Sequence, residues 1–103
     1  MIAQFTLVPI GTKTDSLSKL IAKAVPPIVE SGLDYKLGPM GTVVEGDWYQ
    51  IINLINRCRK TLLRECDRLQ INITFDDRKK ASKGLIGSKV KSLEKKTGLK
   101  LKK

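Results

Sequence analysis

Leu33-Asp34-Tyr35-Lys36-Leu37-Gly38-Pro39-Met40-Gly41-Thr42-Val43-Val44-Glu45-Gly46 is the stretch that decides the fold. Pro39 fixes its own φ and lacks an N–H, and Gly41 accepts backbone shapes other residues resist. Residues 38–41 therefore predict a tight turn. Before it, residues 33–37 read as a short strand. After it, residues 42–45 form a β-branched run that suits a strand. The run carries one carboxylate, Glu45, in otherwise apolar surroundings. It reads either as a plain hairpin or as a strand edge that presents Met40, Thr42 and Glu45 to a small molecule.

Working outward, both sides of this hairpin carry a helix and then a strand. Upstream, Leu17, Leu20, Ile21, Ala24, Val25 and Ile28 follow the i, i+3, i+4, i+7 pattern of one buried helix face. Asp15 or Ser16 can cap that helix. Pro26-Pro27 predicts a kink in its last turn and Gly32 its stop. Residues 2–9 read as the first strand, ended by Pro9 and Gly11. Downstream, Asp47 is a good cap for a second helix running to about Glu65, with Trp48, Ile51, Ile52, Ile55, Cys58 and Leu62 on one face. Residues 69–76 alternate apolar and polar without a break and predict the last strand. A final helix over about 88–96, with Val90 and Leu93 as its stripe, ends at Gly98.

The order β-α-β-β-α-β plus a C-terminal helix predicts an α+β, ferredoxin-like βαββαβ sandwich: an antiparallel four-stranded sheet with two helices on one face. With 103 residues, the chain suits a single domain, 1–103. Leu69, Ile71, Ile73 and Phe75 face the helices, while Gln70, Asn72 and Thr74 line the opposite face. On the first strand neither side is polar: Ile2, Thr6 and Val8 share one, Ala3, Phe5 and Leu7 the other. A helix-free face with several apolar groups predicts sheet-to-sheet packing in a homo-oligomer.

Several function classes are excluded or demoted. The chain has no histidine, which removes histidine metal sites and Ser-His or Cys-His catalysis. Cys58 and Cys66 fall on one predicted helix, about 12 Å apart along its axis, too far for a bridge. They read as buried structural thiols. Asp76 and Asp77 are neighbours in a strand and point to opposite sides, so they make no acid–base pair. No metal or cofactor site is evident, and no catalytic residue is assigned. No stretch approaches the ~18 apolar residues of a membrane helix, and a signal peptide is not apparent; a cytoplasmic protein is expected.

The net charge of +10 is unevenly placed. Residues 1–77 hold nine Lys/Arg and nine Asp/Glu, whereas residues 78–103 hold eleven Lys/Arg and only Glu94 as an acid. A basic C-terminal segment either attracts nucleic acid or is a solvated helix face and tail. RNA-recognition modules of this fold stack bases on sheet aromatics, but residues 42–45 contain none and carry an acid.

Val8-Pro9-Ile10-Gly11-Thr12, the helix start Ser16-Leu17-Ser18, Met40-Gly41-Thr42-x-x-Glu45-Gly46 and Asp76-Asp77-Arg78 occur in an order that resembles the small thiamine-binding proteins of the YkoF-like group. The resemblance covers nearly the whole chain. It implies a ferredoxin-like subunit, dimers assembled into a tetramer, and binding of thiamine or its pyrimidine moiety without catalysis. Thiamine joins a cationic thiazolium to an aminopyrimidine. Glu45 can accept from the amino group or balance the cation, and Thr12, Ser16 and Thr42 offer hydroxyls. Met40 lies against a flat ring, and Tyr35 or Phe5 stacks. The candidate ligand-binding residues are therefore Thr12, Ser16, Tyr35, Met40, Gly41, Thr42 and Glu45. Two other readings stand beside it: a nucleic-acid-binding module using the basic C-terminal segment, and a structural or regulatory assembly protein without a small ligand.

Overall fold

The structure is a computed structural model that describes residues 1–12, 17–80 and 84–102. Its elements are β1 (Ile2–Thr12), α1 (Leu17–Ala22), α2 (Val25–Glu30), β2 (Asp34–Leu37), β3 (Thr42–Glu45), α3 (Trp48–Leu63), β4 (Cys66–Asp76) and α4 (Leu85–Thr97). The four strands form one antiparallel sheet in the order β2-β3-β1-β4. This is the split βαβ arrangement that the hairpin and its flanking helices predict.

The core lies between the sheet and α1–α3. Ala3, Phe5 and Val44 from the strands meet Leu20, Ala24, Ile28, Ile51, Leu54, Ile55, Cys58 and Leu62 from the helical layer. Leu7, Leu69, Ile71, Ile73 and Phe75 pack against this cluster while remaining partly exposed. The predicted helix-facing side of β4 is thus the observed one, and on β1 the Ala3, Phe5 and Leu7 side takes that role. Trp48, at the start of α3, closes one end of the core with its ring 4.9 Å from that of Phe75. Asp47 caps α3 in a reciprocal box. Its carboxylate accepts from the Gln50 N–H at 2.8 Å, and the Gln50 side-chain oxygen accepts from the Asp47 N–H at 3.0 Å. Two helix-end donors are satisfied at once.

Four boundaries differ from the sequence expectation. The Pro26-Pro27 kink is a complete break: α1 stops at Ala22, and both prolines fall in the first turn of α2. First-turn N–H groups have no partner within the helix, so proline costs nothing there. Gly32, at φ +72°, ends the segment as expected. β4 starts at Cys66 instead of residue 69, so Cys58 and Cys66 do not share a helix; both are buried free thiols. α4 starts three residues earlier than expected, at Leu85.

The fourth difference concerns β1, which continues through Pro9 and Gly11 to Thr12. The register explains why. Met1 and Gly46 exchange both backbone hydrogen bonds, at 2.8 and 3.0 Å. Antiparallel pairs alternate between bonded and non-bonded. Ala3↔Val44 and Phe5↔Thr42 therefore also exchange bonds with β3, and the even residues of β1 bond to β4. The hairpin agrees: the Gly38 N–H donates to Gly41 O at 3.0 Å, which turns the backbone groups of Thr42 away from β2 and toward β1. Pro9 thus faces away from β4. Beyond Phe5, β1 has no strand on its β3 side, so the missing N–H of Pro9 interrupts no ladder.

Candidate functional site

The mismatch in strand length creates the site. β3 pairs with β1 only as far as Phe5↔Thr42, and the chain then reverses through the 38–41 turn. A notch remains where β3 and β2 would otherwise continue. Its floor is Phe5, Thr6 and Leu7 of β1; its near wall is Leu37, the turn and Thr42; its roof is Ile21, Ala24, Val25 and Ile28 from α1, α2 and the break between them. The cavity measures about 340 Å³, at the lower end of the range for small-molecule pockets. Among the described residues, Thr6 and Thr42 are the polar ones lining it, and none that lines it is charged. Such a site suits a flat, neutral, mostly apolar group held by few hydrogen bonds.

Gly41 is needed at the turn. A Cβ there would stand 3.2 Å from both Gln4 Cγ and Thr6 Cγ2 and 3.3 Å from the Phe5 carbonyl oxygen. The turn therefore lies directly on β1. Met40, at its tip, is 82% exposed and overhangs the mouth, where an adaptable apolar side chain can close on a ring.

The structure brings together Met40, Gly41 and Thr42 of the expected residues. Tyr35 pairs with Val44, further along β2, and does not line the notch. Thr12 is placed in β1 opposite Cys66, but its side chain, like the whole of Ser16, lies outside the described residues. Glu45 is separated from Thr42 by the pleat. Val44 is fully buried under the helices, so residues 43 and 45 point to the other face. There the Glu45 carboxylate accepts from the Leu85 N–H at 2.6 Å and the Gly84 N–H at 3.1 Å. It serves as the N-terminal cap that Gly84, having no side chain, cannot supply.

α4 accordingly packs on the face opposite α1–α3, over β2 and β3. Ile86 meets Gln4, Lys36, Val43 and the 38–41 turn across a second, smaller space. The outer positions of β1 and β3 (Ile2, Gln4, Thr6, Val43 and Glu45) include no aromatic residue. The stacking surface of an RNA-recognition sheet is therefore absent among the described residues. Asp76 pairs with Arg78 at 3.3 Å. No group of acids and cysteines among the described residues is arranged to hold a metal ion. Burial pushes the Cys58 thiol up to about 11 against the opposing pull of Arg57, leaving it un-ionised and a poor nucleophile. No helix among the described residues is long and apolar enough to cross a membrane.

The notch residues missed from sequence (Thr6, Leu7, Leu37 and the roof) carry ordinary core or strand signals. The available cue was the unequal length of the first and third strands, residues 2–9 against 42–45.

Comparison with known proteins agrees with this architecture. A family model described as thiamine-binding protein matches residues 3–94. A UPF0045 protein of Methanothermobacter thermautotrophicus is 31% identical over 96 residues, covering 91% of this chain and 96% of the relative. The crystal structure of hypothetical protein MJ1052 from Methanocaldococcus jannaschii superposes with a TM-score of 0.78 at 30% identity, covering 89% of this chain and 93% of that one. A Thermotoga maritima structure described as a putative thiamine biosynthesis/salvage protein shares the fold, with a TM-score of 0.68 at 24% identity over 89% of this chain and 96% of that one. The match to the family model over almost the whole chain, on the expected fold, shows that the chain belongs to the thiamine-binding protein family.

Proposed function

We propose that this chain binds thiamine or its aminopyrimidine half in the notch beneath the 38–41 turn, without chemistry. The observation that carries the reading is the notch itself: about 340 Å³, with no charged residue among the described ones that line it, floored by a strand edge and overhung by Met40. Among the described residues none that lines the notch is charged, and this favours one orientation. The neutral aminopyrimidine enters, with Thr42 beside it, and the cationic thiazolium stays at the open mouth, because burying an unpaired cation costs far more than burying a flat polar ring. Family membership supports the choice of ligand.

Self-association belongs to the same reading. Val8 and Ile10 are 41% and 38% exposed on the outer face, while α4 packs over β2 and β3. Sheet-to-sheet packing over β1 and β4 would give a dimer, and pairing of dimers a tetramer. Calorimetric titration with thiamine, and separately with 4-amino-5-hydroxymethyl-2-methylpyrimidine, tests the binding. Saturable heat with one site per subunit and little salt dependence is expected. No heat with either compound refutes the reading. Light scattering on the eluting protein tests the assembly, and a monomer mass refutes it.

A further inference from the structure

The hydrogen-bond register singles out one backbone position at the notch. Phe5 is the last residue of β1 to exchange bonds with β3. Two residues on, the N–H and C=O of Leu7 point to the same edge, where the sheet has ended. Leu7 lines the notch, and no hydrogen bond to these two groups occurs among the described residues. The next residue of the same parity, Pro9, offers a carbonyl and no donor. Along the part of the open edge that lines the notch, Leu7 therefore holds the one complete donor–acceptor pair.

We propose that the Leu7 backbone reads the ligand's edge: its N–H donates to a ring nitrogen, and its C=O accepts from the amino group beside that nitrogen. The inference rests on the proposed function and adds to it the residue that sets ligand specificity. The class it selects is a planar heterocycle with an exocyclic amino group next to an unprotonated ring nitrogen, which an aminopyrimidine has. Among the described residues, the lining of the notch offers two threonines and no charge, few other groups for orienting such a ring. Addition of an extended peptide strand is the rival use of a free edge. Pro9 opposes it, because the second donor such a strand needs, about 7 Å further along, does not exist.

The experiment compares thiamine with oxythiamine, in which a carbonyl replaces the amino group and the adjacent ring nitrogen carries hydrogen. Donor and acceptor are exchanged while size and cationic charge are kept. Each would then face its like on Leu7, and a site built on hydrogen bonds rejects such an analogue strongly. Oxythiamine should bind on the order of 100-fold more weakly. Equal affinities overturn the inference but leave thiamine binding intact, whereas no binding of thiamine overturns both. The second measurement is amide hydrogen exchange at Leu7 in the unmodified protein. Its N–H should gain on the order of 100-fold protection with saturating thiamine, and unchanged exchange overturns the inference. The variant pair Leu7→Pro and Leu7→Ala adds a genetic arm. Both shorten the side chain, but only proline removes the donor, and that donor lies outside the β4 ladder. Leu7→Pro should bind thiamine at least about tenfold more weakly than Leu7→Ala, and equal affinity refutes the proposal.

Discussion

Replacing Glu45 with glutamine separates two roles for this carboxylate, one at the ligand and one at α4. In the structure it accepts from two backbone amides at the start of α4, at 2.6 and 3.1 Å. Hydrogen bonds to a charged acceptor contribute roughly 1.5–3 kcal/mol each when sheltered, and a helix cap about 1 kcal/mol. Gly84 is exposed and Glu45 half-buried, which moves the estimate toward the lower figures. Glutamine keeps one neutral acceptor and turns an NH₂ toward the other amide, so the expected loss is about 1.5 kcal/mol. That corresponds to roughly tenfold faster opening of α4. Amide exchange along residues 86–93, followed in wild type and variant without ligand, measures it directly. Titration with thiamine then shows whether affinity changes. With the carboxylate on the face opposite the notch, a change of less than about threefold is expected. A tenfold loss of affinity with unaltered exchange in α4 would refute the capping role and return Glu45 to the ligand.

Gly41→Ala should destabilise the hairpin by about 1–2 kcal/mol in urea unfolding, because its Cβ would press on Gln4, Thr6 and the Phe5 carbonyl; a neutral result would mean that the turn does not rest on β1. Asp47→Ala removes one half of the α3 capping box and should cost about 1 kcal/mol in the same assay. Cys58 offers a test with pH. Its folded pKa is raised by burial to about 11 from an ordinary 9.0, so the fold favours the neutral thiol. Its contribution is fully present below pH 9 and is lost as pH rises toward 11. The unfolding midpoint of the wild type should accordingly fall more between pH 8.5 and 10.5 than that of Cys58→Ala, and parallel curves would show that the thiol is not buried. In native protein neither cysteine should react with a thiol reagent at pH 8.

The sheet and its core were legible because a strand's side chains declare its faces. Leu69, Ile71, Ile73 and Phe75 alternate with polar residues; on β1, where neither side is polar, only the packing shows that Ala3 and Phe5 take the buried one. The notch was only half legible, and the reason is geometric. Met40, Gly41 and Thr42 announce a turn by their chemistry, but Glu45 looks like their neighbour only if the pleat is ignored: three residues along a strand reverse the direction of a side chain. Its true partners, the amides of Gly84 and Leu85, lie about 40 residues away and carry no signal in their side chains.

Pro9 shows the limit most sharply. Proline reads as a strand breaker because a strand paired on both sides needs every N–H, and one paired on a single side needs half of them. Which half depends on register, and register follows from pairing that no local pattern encodes. Here the Met1–Gly46 exchange sets the parity, so Pro9 falls on the side of β1 that has lost its neighbour. The residue that seemed to end the strand instead marks where its edge is open, and Leu7 before it supplies the pair of backbone groups that the open edge presents to the notch.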